Sequence, residues 1–456
     1  MTLTRAAKFA LAVVPALLIS AHTYAQRPPS ADQAWPQAAV ADPTPLGFSK
    51  AGLDALDARM KQAVADGDTA GMTILLVRHG QVADFKSFGK QTPDKPMTND
   101  SLFRIYSMSK PITGVAMMQL YEQGKWKLDD PITRYAPELA GLKELTWDAA
   151  GKPVIGADGK AVLATPKKAA TLRQVMSHTS GFGYGLGGDD PVNKAFRDDR
   201  VLASKDLDEM MTKIAAIPLL YEPGTRWSYS VAVDIQGYLV QKLSGERFGD
   251  YLKAHVTGPM GMTDTAFYVT PDRKPRFTEV YHWDRATSAL VMNPSRPDRG
   301  GFEDPTRLES GGGGLVASTH DYARLCQMML NKGEIAGKRI LKPETVALMS
   351  QNHIGDLTVS VDGTQAQSAT AAVTRFGLDF AVYVDPRAAS MPYGTGTYYW
   401  GGAAGTWFWI DPVNDLAFIG MIQNQGGNRP GGMNFRNDSA KLVYAALSSA
   451  AKSSAQ

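Results

Sequence analysis

With 456 residues, 44% of them apolar and 20% charged, the chain is long enough for one large or two modest domains around a sizeable core. A formal net charge of +3 gives no basis for nucleic acid or an anionic membrane as a partner. The single cysteine, Cys326, excludes an intrachain disulfide and leaves no cysteine cluster for zinc.

Met1 to Ala25 reads as a secretory signal. Arg5 and Lys8 form its basic start, Phe9 to Ile19 its apolar centre, and Thr23-Tyr24-Ala25 a small-residue cleavage site. The apolar run is too short to span a bilayer comfortably, so stable membrane insertion is not expected. Export without disulfides points to a bacterial periplasm or the extracellular space. Gln26 to Pro45, rich in Pro, Ala, Asp and Gln, reads as a flexible leader.

Ser49 is the predicted cap of a helix reaching Ala65, with Leu53, Leu56, Met60 and Val64 at helical spacing. Met72 to Arg78 and Val82 to Phe88 read as strands joined by a turn at His79-Gly80. Next comes Phe103 to Lys110, Phe-Arg-Ile-Tyr-Ser-Met-Ser-Lys, followed by Pro111 and a run to Glu122 that is apolar almost all round. Such a helix belongs in the core.

From Tyr121 to about Met262 the chain is mostly helix and loop. Val154 to Val162 is a predicted small hairpin, and Thr171 to Met176 a helix ending near Ser177-His178-Thr179-Ser180-Gly181. Ser204 is the predicted cap of a helix containing Leu207, Met210, Met211 and Ile214. Val233 to Leu243 and Phe248 to His255 are further helices. Thr270 to Ser310 reads as a long loop, a type that tends to be functional or mobile. The run Gly311 to Gly314 lets backbone approach a ligand or makes a tight lead-in to a helix through Leu330, and the packing reading comes first. Phe376 to Val384 alternates like one strand. Gly405 to Ile410 and Leu416 to Gln423 flank a hairpin turn at Asp411-Pro412, and Arg436 to Leu447 is a closing helix. Strands at both chain ends with helices between them imply an α/β domain interrupted by a helical one.

Ser107 and Lys110 face the same side if the first turn is helical. A serine hydroxyl needs a neighbouring base, and a neutral lysine can be one. Burial and a helix N-terminus both favour the neutral amine, and the same N-terminus can aim N–H groups at an oxyanion. Ser-x-x-Lys alone is weak evidence, for it also occurs at Ser87–Lys90 and Ser449–Lys452. Without a partner, Ser107 reads as a plain helix cap beside a solvated lysine. His178 reads as a polar residue closing a helix rather than a base. Tyr229, after the Pro223-Gly224 turn, serves packing or, beside a Ser–Lys pair, proton transfer. Trp400-Gly401-Gly402-Ala403 permits close backbone approach or marks a bulge. The chain contains no Gly-x-Ser-x-Gly elbow, no His-Glu-x-x-His and no P-loop.

Taken together, these motifs resemble the serine β-lactamases and penicillin-binding proteins, and among them the class C β-lactamase-like (family VIII) carboxylesterases. Ser107 and Lys110 match the family's Ser-x-x-Lys, Tyr229-Ser230-Val231 its tyrosine motif, and Trp400-Gly401-Gly402 its third motif. His178 to Gly181 and Gly313 to Leu315 also look like family signatures. Val231 stands where many lactamases have asparagine, and Trp400 where they have lysine; both departures are typical of the esterase branch.

The resemblance implies an α/β, transpeptidase-like fold: an antiparallel sheet flanked by helices, with an inserted mainly helical domain. Its expected division is a signal over 1–25, a leader over 26–45, a sheet domain over 46–100 and 311–456, and a helical domain with site loops over 101–310. It implies acyl transfer with Ser107 as nucleophile, Lys110 and Tyr229 as coupled base, and the N–H groups of Ser107 and Ala403 as oxyanion hole, beside Trp400, Gly401 and Gly402. No metal or cofactor is expected, and the expected partner is a small ester or amide. A weak class C-type β-lactamase and a D-amino-acid peptidase or amidase remain the alternatives. A non-catalytic peptidoglycan-binding module is the reading of another class.

Overall fold

The computed structural model describes residues 35–36, 39–186, 188–292, 301–359, 369–426 and 429–448. The signal expected over 1–25 and the third Ser-x-x-Lys lie outside the described residues.

An eight-stranded antiparallel sheet is the frame. Its strands are β1 (Gly71–Arg78), β2 (Gln81–Thr92), β3 (Lys95–Pro96), β4 (Thr374–Phe376), β5 (Ala381–Tyr383), β6 (Tyr398–Gly401), β7 (Trp407–Asp411) and β8 (Leu416–Met421). They lie in the order β4-β5-β6-β7-β8-β1-β2-β3. Strand β1 is thus flanked by its sequence neighbour β2 and by β8 from the far end of the chain. Every residue of β1 and β8 is buried, which explains why Met72 to Val77, Thr73 apart, is apolar with no alternation.

Successive side chains of β7 reach opposite faces of the sheet. Trp407 donates to Ser439 Oγ (3.2 Å) on the closing helix, whereas Phe408 meets the Tyr322 ring at 5.0 Å on the helix Thr319–Leu330. Gly420, paired with Trp407, has no side chain because a Cβ there would lie 2.2 Å from the indole. The helix α1 (Lys50–Ala65) begins at Ser49, whose side chain accepts from Gly52 N–H, as predicted. It packs beside the closing helix Phe435–Ala446.

Within the segment read as a flexible leader, Trp35 Nε1 donates to Gly80 O (2.9 Å) and Val40 N–H to Val82 O (2.9 Å), both on the β1–β2 hairpin.

Other predictions need correction. Phe376 to Val384 is two strands: Gly377 N–H donates to Phe380 O and turns the chain, with Asp379 left-handed at φ 65°. Asp206, not Ser204, caps the helix Leu207–Ala215, and Ser204 donates to Val201 O instead. The loop 270–310 carries a hairpin, Tyr281–Asp284 with Ala289–Met292, tied to the sheet through Tyr281 and Gln423. Helices Pro191–Asp198 and Pro343–Met349 escaped the sequence reading. No helix among the described residues is long and apolar enough to cross a membrane.

Candidate active site

The short strand Leu102–Arg104 pairs with Val316–Ser318 and leads the chain into a 3₁₀ turn, Tyr106–Met108. Ser107 sits in that turn, not in the first α-helical turn. Tyr106 before it is left-handed at φ 41°, a sparsely populated conformation for a bulky side chain. The helix α2 (Ser109–Glu122) starts two residues after Ser107. Pro111 falls at its third position, where an N–H has no intrahelical partner, so the proline removes no bond. From Ser109 to Leu120 only Gln119 of α2 is not buried, consistent with an apolar helix threaded through the core.

The predicted residues converge on one oxygen. Tyr229 OH donates to Ser107 Oγ (2.6 Å), and Lys110 Nζ donates to the same oxygen (3.2 Å). Lys110 is fully buried and also donates to Gly312 O (2.6 Å) and Tyr184 OH (3.4 Å). Its Nζ lies 4.5 Å from the Tyr229 ring centre and 5.2 Å from that of Tyr184. Trp400 Nε1 reaches Tyr229 OH at 3.4 Å, from the end of β6.

Burial disfavours the Lys110 ammonium, but Tyr184, Tyr229 and Asp234 favour it more, and the balance raises its pKa. Burial alone acts in the expected direction, and in this resting arrangement the neighbouring groups outweigh it. His178 goes the other way: burial, then the Lys110 charge, hold it well below the ordinary histidine range, so it stays neutral. Its Nδ1 accepts from Ser230 N–H (3.3 Å) and meets Ser230 Oγ at 3.0 Å. Its ring packs against Trp227, Tyr229 and Phe376, with centroids 5.0 to 5.7 Å away. It packs against the segment carrying Tyr229 rather than against Ser107.

Trp400, Gly401, Gly402 and Ala403 line the same cleft as Ser107 and Tyr229, a cavity of about 790 Å³. Gly402 must be glycine, since a Cβ would lie 2.4 Å from Ile105 O, just ahead of Ser107. Ala403 follows in an exposed turn.

Four residues at or behind this cleft escaped the sequence reading: Tyr184, Asp234, Gly312 and Arg436. Gly312 was hidden in a glycine run whose close approach is to Lys110, not only to a helix. Arg436, in the first turn of the closing helix, lines the cleft with its guanidinium 4.8 Å from the Tyr399 ring centre. Arg104 is engaged elsewhere, over the Phe277 ring at 3.8 Å and donating to Thr278 O (2.7 Å).

An antiparallel sheet with a Ser–Lys–Tyr cluster at the head of a buried helix defines the β-lactamase-like serine hydrolases. The chain belongs to the beta-lactamase family: the family model described as Beta-lactamase matches residues 56–442. It is 33% identical over 383 residues to protein Rv1367c of Mycobacterium tuberculosis, covering 82% of this chain and 90% of the other. It is 31% identical over 411 residues to esterase EstB of Burkholderia gladioli, covering 84% and 93%. Among solved structures it resembles EstCE1, a hydrolase with promiscuous acyltransferase activity, at a TM-score of 0.70 and 26% identity, covering 87% of this chain and 99% of the other.

Proposed function

We propose that this protein is a carboxylesterase that cleaves short acyl esters through an acyl-Ser107 intermediate. The observation carrying the reading is the convergence of Tyr229 OH and Lys110 Nζ on Ser107 Oγ. In the proposed cycle, Ser107 Oγ attacks the ester carbonyl and its proton passes to the Lys110–Tyr229 pair. The N–H groups of Ser107 and Ala403 stabilise the oxyanion. Tyr229 delivers the proton to the departing alkoxide. Water then attacks the acyl-serine, loses its proton to the same pair, and frees the acid and Ser107. Because the resting balance favours the Lys110 ammonium, the pair must lose one proton before it can accept Ser107's. Activity is therefore expected to fall on the acid side.

Trp400 supports esters over β-lactams. A β-lactam carries a carboxylate beside its scissile amide, which a lysine would meet with a charge-assisted bond. Trp400 offers an apolar ring and one donor, shared with Tyr229. The second reading, a weak β-lactamase, is favoured by one observation, the Arg436 guanidinium in the same cleft. The test compares kcat/KM for an aryl butyrate, a chromogenic cephalosporin and a D-Ala-D-Ala peptide, in wild type and Trp400→Lys. The ester should dominate in wild type, and Trp400→Lys should narrow the gap. A wild-type preference for the cephalosporin would replace the esterase reading with the lactamase one. Ser107→Ala should abolish both turnover and phosphonate labelling while the fold persists; a label found on Ser87 instead would refute the assignment.

A further inference from the structure

Behind Lys110 lies a carboxylate that the proposed cycle does not use. Asp234 is fully buried in the first turn of the helix Ala232–Ser244, five residues after Tyr229. Buried carboxylates are rare unless paired. Its Oδ1 accepts from Ser310 Oγ and from Gly312 N–H (3.2 Å), and its Oδ2 has no hydrogen-bond partner among the described residues. The carbonyl of the same Gly312 accepts from Lys110 Nζ (2.6 Å). One residue's backbone is thus clamped between a carboxylate at its N–H and an ammonium at its C=O.

The surroundings are built for that clamp. A Cβ at Gly312 would lie 2.4 Å from Asp234 Oδ2 and 2.8 Å from Tyr184 OH. At Gly311 a Cβ would lie 2.6 Å from Val233 O, and the Gly311 carbonyl accepts from Thr113 Oγ1 (2.9 Å) on α2. The glycines therefore let the chain thread between α2 and the helix carrying Asp234, too close for any side chain. A neutral residue at 234 would relieve the desolvation of a buried charge.

We propose that Asp234 is a positioning residue for Lys110: through Gly312 it holds Nζ against Ser107, and it supplies the counter-charge for the ammonium form. The inference rests on the Ser107–Lys110–Tyr229 reading above. Three other titratable side chains bear on Lys110 besides Asp234 and Tyr229. Tyr184 is bonded to its Nζ, His178 stays neutral, and burial pushes the Asp379 carboxyl well up. Asp234 is among the groups that raise the Lys110 pKa.

The sign follows. Removing the charge in Asp234→Asn makes the ammonium easier to deprotonate, so the acid limb of kcat/KM moves to lower pH, by about 0.5 to 1 unit. Asp234 does not line the substrate cleft, so KM for an uncharged ester should stay within about twofold while kcat falls about tenfold or more. Asp234→Ala is a second neutral variant, for use should the asparagine variant not fold. Ser310→Ala disturbs the same packing but keeps the charge, so its limb should move less than that of either neutral variant.

The rate of Ser107 labelling by a fluorophosphonate, followed across pH by mass spectrometry, separates the two ideas. If wild type is not labelled at Ser107, the reading of the site fails. If Ser107 is labelled but the neutral variants keep the wild-type pH dependence, or Ser310→Ala shifts it equally, the role of Asp234 fails. A lowered melting temperature with an unmoved limb also overturns it, since that marks a purely structural carboxylate.

Discussion

Lys110 makes three hydrogen bonds with no exposure to water. Cutting it to alanine removes a charge and leaves Gly312 O without its donor. Lys110→Ala and Tyr229→Phe should each lower kcat roughly 10²–10⁴-fold, the usual range for general acid–base groups. His178→Ala should act on stability, because that ring braces Tyr229 and makes no bond to Ser107. Equal loss of rate in His178→Ala and Lys110→Ala, at an unchanged melting temperature, would argue for a histidine base. Asp84 tests electrostatics away from the cleft. Burial, with a small push from Asp54, raises its pKa to about 7 against a hydrogen bond from Phe85. Lys86 Nζ lies 3.5 Å away but is half exposed and already bonded to Asp57, so burial prevails. A raised carboxyl pKa means that the fold favours the protonated form. Stability is then lost as pH rises from the unfolded value of 3.8 to about 7, and stays lower above it. Asp84→Asn should be more stable than wild type by up to about 4 kcal/mol at pH 8, with the gain gone near pH 4. Chemical denaturation at the two pH values decides it.

Elements with strong periodicity or a clear cap were legible from residues alone. Ser49 caps α1 as read, and the helix read from Thr171 is present as Leu172–Met176, with Thr171 as its cap in a full capping box with Gln174. What failed had a local signal that tertiary contacts override. Phe376 to Val384 alternates, yet Gly377 to Phe380 turns it, and nothing in an alternating pattern reveals a turn whose Asp379 side chain is held by Gln236. The hairpin inside 270–310 is held through Tyr281 by backbone bonds with Gln423 and Gln425, more than a hundred residues on. The Trp407–Gly420 pair gives a prediction at this scale. Gly420→Ala drives a methyl into the indole in the middle of the sheet, where both strands are fixed, and should cost about 1–3 kcal/mol. A thermal melt checks it, and an unchanged midpoint would mean that Trp407 has room to move.

At the scale of the whole molecule, the cleft draws on distant parts of the chain: Ser107 and Lys110, Tyr184, Tyr229, Gly312, Trp400 and Arg436. Composition and periodicity could name no such gathering; the joint order of motifs could, because it is carried by a family resemblance and not by any one spacing. Of the residues that resemblance did not supply, Gly312 meets Lys110 through its backbone carbonyl and Asp234 meets Lys110 only by way of Gly312, so no spacing in the sequence ties either to Ser107. The sheet order has a kinetic side as well. Strand β1 meets β2 within a few residues, but its other neighbour, β8, leaves the ribosome only after Leu416. Until then one edge of an all-buried strand is bare, and non-local closure of this kind is slow. A nascent or truncated chain therefore carries a sticky edge, open to pairing with another copy. A chain stopped at Asp411 should pellet rather than fold to a smaller soluble protein, and co-expressing a chaperone should help that fragment far more than the full length.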